Sequence, residues 1–403
     1  YMLQKLDKQL LSQPKEVKFC KLCVVSNQRP RLTFNANGVC SACEYAYKKH
    51  HLINWEEREK ELAVLCDKHR SNDGSFDVIV PGSGGKDSGY TAHYLKTKYG
   101  MHPLTVTWAP FIYTDVGWKN FNNFVKSGFD VISCYPNGDL HRKLARAAFE
   151  LKGDAWEPFA YGQKTMAFHM ALKFKIPLIF YGENGEIEYG GSLKNADKPY
   201  ETVSDWEDLY FKGAGVDKVV AAGKEMDIFS DAEIKTKTFE LYSQPSLEEI
   251  EKLDIQMHWL SYYRKWVPQE NFYYAQKYTG LTANEDGRSE GTYSKYASLD
   301  DRTDGFHFYL AYIKFGIGRC TSDAAHEIRD GHITREEGVS LVKRYDGEFP
   351  KKYFKDFLEY LNITEKHFWE IVDSYRPPHL WKKVNDEWKL KHTVWGGGTE
   401  DKK

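Results

Sequence analysis

Long apolar runs are missing from this sequence of 403 residues. Crossing a bilayer as a helix takes about 20 consecutive apolar residues, and no segment approaches that length. The first residues, YMLQKLDKQL, also lack the continuous apolar stretch of a signal peptide. We therefore expect a cytoplasmic protein that has no membrane partner.

A strong excess of either charge is also missing. The 56 lysines and arginines nearly balance the 58 aspartates and glutamates, which gives a formal net charge of -2. Nucleic-acid-binding domains usually carry a dense basic surface, and this sequence contains no strip rich in lysine and arginine. We therefore expect no nucleic-acid partner.

Closely spaced cysteines are missing beyond residue 43. Cys66, Cys134 and Cys320 stand singly, so the sequence offers neither a disulfide framework nor an obvious sulfur-carrying pair. The spacing of these residues excludes the small disulfide-stapled folds of secreted proteins. It also argues against thiolation chemistry that needs two neighbouring thiols.

Four cysteines near the start, by contrast, have the spacing of a zinc ribbon. Two Cys-x₂-Cys pairs are separated by sixteen residues, as expected for one tetrahedral site. Four thiolates fill the coordination shell of Zn²⁺, so we predict a structural metal in an N-terminal segment, residues 1–48. The predicted ligands are Cys20, Cys23, Cys40 and Cys43.

From residue 76 onward, short apolar runs alternate with longer amphipathic segments. The runs FDVIV, PLTVTW, FDVISCY and IPLIFYG are separated by stretches whose apolar residues recur at helical spacing. This β-α alternation predicts an α/β fold, a parallel sheet with helices on both faces. We assign residues 49–290 to this domain, with a polar insertion at about 190–245, and residues 291–403 to a mainly helical C-terminal region.

The strongest chemical motif is PGSGGKDS, residues 81–88, which lies between a β-branched strand and a helix start. Glycines there leave backbone N–H groups free to face an anion, and the helix N-terminus adds its positive dipole end. Asp87 excludes both a Walker loop and a dinucleotide fingerprint, which need Ser or Thr, or Gly, at that position. The candidate phosphate-binding residues are Ser83, Gly84, Gly85, Lys86, Asp87 and Ser88.

The Ser-Gly-Gly-x-Asp-Ser run resembles the PP-loop of ATP pyrophosphatases, such as GMP synthetase and asparagine synthetase. The resemblance implies that the loop holds the β,γ-pyrophosphate of ATP, with Mg²⁺, and leaves the α-phosphorus open to a substrate oxygen. It also implies that Val106 and Trp108, at the end of the next strand, hold adenine. A purely structural role for these two strand residues is an equal alternative.

A second acidic and glycine-rich turn, residues 182–191, follows the strand IPLIFY. If that strand is parallel to FDVIV, the turn lies at the same sheet edge as the glycine-serine loop, where ligands of open α/β sheets bind. We predict catalytic roles for Glu183, Asn184 and Glu186 together with Asp87, as proton acceptor, carbonyl-orienting group or Mg²⁺ ligand. For each glutamate the alternative is an ordinary polar surface turn.

Substrate-binding candidates lie in the same turn and farther along the chain. Glu188 and Tyr189 belong to the acidic turn, whereas Lys295 and Arg319 lie in later glycine-flanked turns. The two cationic side chains are suited to a sugar carboxylate or a nucleotide phosphate.

Taken together, the cysteine pairs, PGSGGKDS, YGENGEIEYGG, YSKYASLDDRTDGFHFY and FGIGRCTSDAAHEIRDG resemble the N-acetyl sugar amidotransferases over about residues 18 to 380. The resemblance implies conversion of an acetamido to an acetamidino group, with release of AMP and pyrophosphate, on a free or nucleotide-linked sugar. Such ligases act in bacterial lipopolysaccharide O-antigen or pseudaminic and legionaminic acid pathways. The resemblance also implies that ammonia comes from a separate glutaminase, often with a barrel-shaped synthase-like subunit. In agreement with this, the sequence contains no glutaminase motif of its own.

Two other functions remain open from the sequence. A tRNA-modifying PP-loop enzyme, of the thiolation or lysidine type, also combines a zinc ribbon with this loop. The second possible function is a non-catalytic zinc-ribbon scaffold, which would bind nucleotide only to regulate assembly. Salt-sensitive tRNA binding would favour the first, and absence of pyrophosphate release would favour the second.

Overall fold

The computed structural model describes residues 5–201, 212 and 214–397. Within these residues a six-stranded sheet has the order β3-β2-β1-β4-β6-β5, and every neighbouring pair is parallel except β5 with β6. The α/β class and the parallel sheet predicted from the sequence are therefore confirmed. The strands are β1 Val78–Pro81, β2 Pro103–Trp108, β3 Asp130–Cys134, β4 Leu178–Tyr181, β5 Tyr200–Glu201 and β6 Gln256–Trp259.

The central strands are buried on both faces, which explains their continuous apolar sequence. In β1 the side chain of Ile79 packs into a core on one face, whereas Val78 and Val80 pack into the core on the other. Successive strand residues point to opposite faces, so both faces must be covered by helices. The antiparallel strand β5 at the sheet edge was not predicted and lies in the insertion at about 190–245, of which residues 202–211 and 213 lie outside the described part.

Helices cover both faces of the sheet and form most of the C-terminal region. α3 begins at Lys86, two residues before the start expected from the sequence, because Gly85 takes the N-cap position. The helices before residue 290 are α1 Ser41–His51, α2 Trp55–His69, α3 Lys86–Tyr99, α4 Asp115–Lys126, α5 Gly138–Lys152, α6 Glu157–Phe174, α7 Gly185–Glu188, α8 Val216–Glu225, α9 Leu247–Lys252, α10 Leu260–Tyr263 and α11 Pro268–Tyr278.

Five helices lie between residues 304 and 374. Thr334 caps one of them with a capping box that also uses Glu337, which fixes its start. The chain then ends in a hairpin that the periodicity did not predict, turning at Asn385 and Asp386, both at positive φ. These elements are α12 Asp304–Phe315, α13 Arg319–Arg329, α14 Arg335–Tyr345, α15 Phe354–Leu361, α16 Glu365–Ser374, β7 Trp381–Val384 and β8 Glu387–Leu390; β9 His392–Thr393 and β10 Gly396–Gly397 follow.

The N-terminal and C-terminal regions share hydrophobic cores. One core joins the four cysteines to Phe315, Cys320 and Val342 of the C-terminal region. Another packs Phe149 of α5 against Phe306 of α12 and the helices that follow. The cysteine-bearing segment therefore packs against the C-terminal helices. Helix α1 extends across the domain boundary that was expected near residue 48.

Candidate active site

The glycine-serine loop connects β1 to α3 at the carboxyl end of the sheet. Gly84 has a φ of +80°, and a Cβ there would lie 2.6 Å from the Cβ of Phe124, so this position requires glycine. Gly85 caps α3 without any side-chain hydrogen bond, which leaves the first N–H groups of the helix open to a ligand. The loop thus has the backbone of an anion site.

A cavity of about 330 Å³ opens directly over this loop, and we call it the loop cavity. Its wall contains most of the residues predicted from the sequence to bind ATP. Gly84 is the exception, since it lies against Phe124 behind the wall. The predicted residues in the wall are Ser83, Gly85, Lys86, Asp87, Ser88, Val106 and Trp108.

Lys86 and Asp87 form an ion pair at the floor of the loop cavity. The pair uses Oδ2 of Asp87, and Oδ1 is buried without a hydrogen-bond partner among the described residues. A buried carboxylate oxygen of this kind needs a partner, and a divalent cation is a fitting one. Asp87 could therefore hold Mg²⁺.

Glu183 follows β4 directly and faces the loop from the same sheet edge, as expected for parallel strands. Burial raises its pKa to about 8, and the nearby charge of Asp87 adds to this, against the opposing charge of Lys86. A carboxyl group with such a pKa exchanges its proton near neutral pH. Glu183 is therefore suited to act as a general base or acid.

Glu183, Lys86 and Asp87 also line a second cavity of about 460 Å³, which we call the basic cavity. The two cavities therefore share a wall. Two arginines from the N-terminal segment, Arg29 and Arg31, line the far side. Other predicted or charged residues in this wall are Glu186, Tyr189, Arg319, Asp323, Asp154, Lys212, His307 and Lys314.

The remaining residues of the acidic turn have structural contacts of their own. The Asn184 side chain accepts a hydrogen bond from the Glu186 N–H at 3.1 Å and caps α7. Glu186 is held by both arms of the Arg31 guanidinium, one of them at 2.9 Å, and also faces the basic cavity. Asn184 orients the turn, and Glu186 fixes the N-terminal segment against it.

Two predicted substrate-binding residues do not lie in the walls of these cavities. Glu188 is buried and accepts hydrogen bonds from Lys49 at 2.8 Å and from His326 at 3.3 Å. Lys295 is exposed and lies over the ring of Phe272 at 5.3 Å, in a surface groove. The other two, Tyr189 and Arg319, do line the basic cavity.

Several residues of the loop cavity were not selected from the sequence. Asp300 accepts a hydrogen bond from the Ser83 hydroxyl, and burial raises its pKa to about 6. Asp301 accepts the Thr303 N–H at 2.8 Å, and burial raises its pKa to about 7. Lys164 also lines the cavity, where burial lowers its pKa to about 8. The run DDRTD, residues 300–304, was the available signal for the two aspartates.

The four predicted zinc ligands form a compact cluster. All four sulfur atoms lie within 4.8 Å of one another, with Cys20 and Cys43 at 3.8 Å and Cys23 and Cys40 at 3.7 Å. A tetrahedral ion with Zn–S bonds of about 2.3 Å requires S···S separations of about 3.8 Å. The cysteine cluster could therefore hold a structural zinc.

Two arginines of the C-terminal helices tie the cysteine cluster to the rest of the protein. Arg335 donates to the carbonyl oxygens of Cys23 at 3.1 Å and Cys20 at 3.2 Å. Arg329 reaches the Cys23 sulfur at 3.9 Å and the backbone oxygen of Glu188 at 3.0 Å. The cysteine cluster thus supports the acidic turn through Arg329.

The loop and both cavities lie at the carboxyl edge of the sheet, where ligands of open α/β sheets bind. Residues 290–394 match a family model described as the C-terminal domain of WbpG-like LPS biosynthesis proteins. No curated protein gives a significant match. The matched segment contributes Asp300, Asp304 and Arg319 to the walls of the two cavities. Among the described helices, none has the length and apolar character needed to cross a membrane.

Proposed function

We propose that this protein is an ATP-dependent amidotransferase that converts the acetamido group of a sugar to an acetamidino group in bacterial surface-glycan biosynthesis. The observation that carries the proposal is the wall shared by the loop cavity and the basic cavity, made by Lys86, Asp87 and Glu183. A reaction between two bound molecules requires adjoining sites with reactive groups at their junction.

The loop cavity is suited to ATP. The open N-terminus of α3 and the hydroxyls of Ser83 and Ser88 favour the terminal phosphates. The free Oδ1 of Asp87 is suited to the accompanying Mg²⁺. Val106 and Trp108, at the end of β2, give an apolar surface for the base.

The basic cavity is suited to the sugar. Arg29, Arg31 and Arg319 supply charge for an anionic group such as a sugar carboxylate or a nucleotide diphosphate. Tyr189 offers a ring against which a pyranose can pack. A sugar in this position would direct its acetamido oxygen across Glu183 toward the nucleotide.

The reaction needs activation because an amide oxygen is a poor leaving group. Attack of that oxygen on the α-phosphorus gives an O-adenylated imidate and releases pyrophosphate and a proton. Ammonia then adds to the imidate carbon, and AMP leaves with the oxygen to give the amidine. The chain must hold the two partners, exclude water and accept the proton of the incoming nitrogen, which we assign to Glu183.

Ammonia is proposed to come from a separate glutaminase, acting alone or with a barrel-shaped subunit. The matched C-terminal family, described as LPS biosynthesis proteins, supports the glycan pathway. It does not by itself specify the chemistry, which rests on the site.

The test is incubation of the protein with ATP, Mg²⁺, ammonium and a panel of free and nucleotide-linked acetamido sugars. We expect sugar-dependent pyrophosphate release and a product in which one oxygen is replaced by NH, detected by mass spectrometry. Asp87→Ala and Ser83→Ala should abolish both signals while the thermal unfolding midpoint stays close to wild type. Turnover retained in both variants, or pyrophosphate release that requires tRNA instead of a sugar, would contradict the proposal.

A further inference from the structure

A narrow third cavity, which we call the side passage, lies beside the two reaction cavities. Lys86, which lines both the loop cavity and the basic cavity, also lines the side passage. Tyr189, Arg319 and Asp323 are common to the side passage and the basic cavity, and Tyr296 to the side passage and the loop cavity. The side passage therefore adjoins both reaction cavities at their junction.

The outer end of the side passage adjoins an open groove of about 620 Å³ on the surface. The passage and the groove share Gln269, Tyr293, Ser294, Glu327 and His332. Lys295, which the sequence suggested as a substrate residue, lies in this groove instead of the reaction cavities. Through these shared residues the side passage lies between the groove, at Gln269 and Glu327, and the reaction cavities, at Lys86.

The size of the side passage limits what can use it. Its volume is about 30 Å³. A water-sized molecule needs about 10–15 Å³ of such volume, so at most two or three molecules of that size fit. A sugar, a nucleotide or glutamine is excluded, whereas ammonia is admitted.

The lining of the side passage is polar and contains three carboxylates. Asp323 accepts a hydrogen bond from Thr292 at 2.6 Å and pairs with Arg319 at 3.2 Å. Glu327 accepts a hydrogen bond from the Tyr293 hydroxyl at 2.8 Å. Asp330 is balanced by Lys49 at 3.3 Å. Basic side chains also line the passage, namely Lys86, Arg319, His326 and His332, so its carboxylates and tyrosine hydroxyls are suited to hydrogen-bond to neutral ammonia.

From these contacts we infer that the side passage is the entry route by which ammonia reaches the activated sugar from the groove at Gln269. This inference rests on the proposed function, because only an amination reaction requires such a molecule at Lys86. In this arrangement nucleotide and sugar enter through the loop cavity and the basic cavity. Ammonia enters separately, from the side of the protein where α11 lies. Entry from that side would let ammonia arrive while both large cavities are occupied.

The test is a plug at the junction of groove and passage. Gln269 is half-buried in the first turn of α11, and Gln269→Trp should fill the narrow opening. Gln276→Trp is the matched control, because it makes the same change on the exposed face of the same helix, outside these cavities. Gln269→Ala leaves the opening wide and reports any effect of losing the amide.

The measurement uses ATP, ammonium chloride below saturation and the acetamido sugar that supports pyrophosphate release in the wild-type protein. Pyrophosphate and amidine are quantified in the same reaction. At a fixed early time of a single turnover, with the protein in excess over the sugar, Gln269→Trp should keep pyrophosphate formation and lower amidine formation about tenfold, because adenylation does not need ammonia. The two tryptophan variants and Gln269→Ala should have similar unfolding midpoints, with wild-type amidine yield in Gln276→Trp and Gln269→Ala.

Equal amidine yield in Gln269→Trp and wild type would overturn the entry route while leaving the amidotransferase proposal intact. A parallel fall of pyrophosphate and amidine would also overturn it, since the plug would then act on adenylation. Wild-type protein that releases no pyrophosphate with any acetamido sugar would overturn the proposed function, and the entry route with it.

Discussion

The Ser83 hydroxyl donates a hydrogen bond to the Asp300 carboxylate, which joins the glycine-serine loop to a residue 217 positions further along the chain. The contact links the sheet domain to the segment that matches the LPS biosynthesis family. Asp304 and Lys86 are the charges that act most on Asp300, the first raising its pKa and the second lowering it. An ionisable group thus lies beside the proposed phosphate site.

Replacing Asp300 should change how pH affects ATP binding. The pKa of Asp300 is about 6, so the group becomes negatively charged as pH rises through that value. Without Mg²⁺, this charge should repel the polyphosphate and weaken ATP binding by about tenfold between pH 5 and 7. Asp300→Asn should remove most of this pH dependence, as measured by calorimetry in EDTA. The same pH dependence in Asp300→Asn would show that another group is responsible.

Replacing Glu183 should separate adenylation from amination. Its pKa of about 8 means that the basic, deprotonated form increases as pH rises through 8. At a constant concentration of unprotonated ammonia, the wild-type amination rate should rise with pH and level off above that value. Glu183→Gln should lose this rise and lower amination by about 10²–10⁴-fold, with the pyrophosphate of the first turnover still formed. A pH profile of wild-type shape in Glu183→Gln would exclude it as the base.

The cysteine cluster should hold zinc and stabilise the whole chain. Cys20→Ser should lose the metal and lower the unfolding midpoint, because Arg335 contacts the carbonyl groups of two cluster residues. Structural zinc contributes about 10–16 kcal/mol in model peptides, so a loss of several kcal/mol is expected. Cys134→Ser, at a lone cysteine, should keep both metal content and midpoint. Metal analysis and thermal unfolding check this, and a metal-free wild-type protein of unchanged stability would contradict it.

Lys49 should be far more important for stability than its neighbour Lys48. Lys49 is buried and pairs with Glu188 at 2.8 Å and Asp330 at 3.3 Å, whereas Lys48 pairs with Asp197 at the surface. Lys49→Met removes the buried lysine that both carboxylates share and should destabilise the protein by about 3–5 kcal/mol. Lys48→Met should cost about 0–1 kcal/mol. Urea unfolding measures both, and similar values for the two variants would show that the buried cluster tolerates the loss.

The sequence predicted the parts of the fold that depend on local patterns. Continuous apolar runs predicted β1, β2 and β4. A central parallel strand is buried on both faces, so it has no solvent-exposed face that would carry polar residues. The motif at residues 81–88 was recognisable because its glycines meet a local backbone requirement, as the positive φ of Gly84 shows. The cysteine spacing predicted the cluster because all four ligands lie in one short segment of the sequence.

Contacts between segments that are distant in the sequence could not be predicted from local patterns. Asp300 contacts Ser83 across 217 positions, and Arg31 contacts Glu186 across 155 positions. The local sequence around each residue therefore gives no indication of its partner. Glu188 illustrates the converse difficulty. Its place in an acidic turn suggested ligand binding, yet its carboxylate is occupied by Lys49 and His326. Sequence alone cannot distinguish a carboxylate that faces a cavity from one that neutralises a buried cation.

The wall between the loop cavity and the basic cavity has a thermodynamic consequence. Lys86, Asp87 and Glu183 each contact both spaces, so a ligand on one side changes the field and the protonation felt on the other. Linkage makes this effect reciprocal: whatever factor nucleotide applies to sugar affinity, sugar must apply to nucleotide affinity. The nucleotide and the sugar of the proposed reaction would therefore be heterotropic effectors of one another, and each would change the affinity for the other before either has reacted.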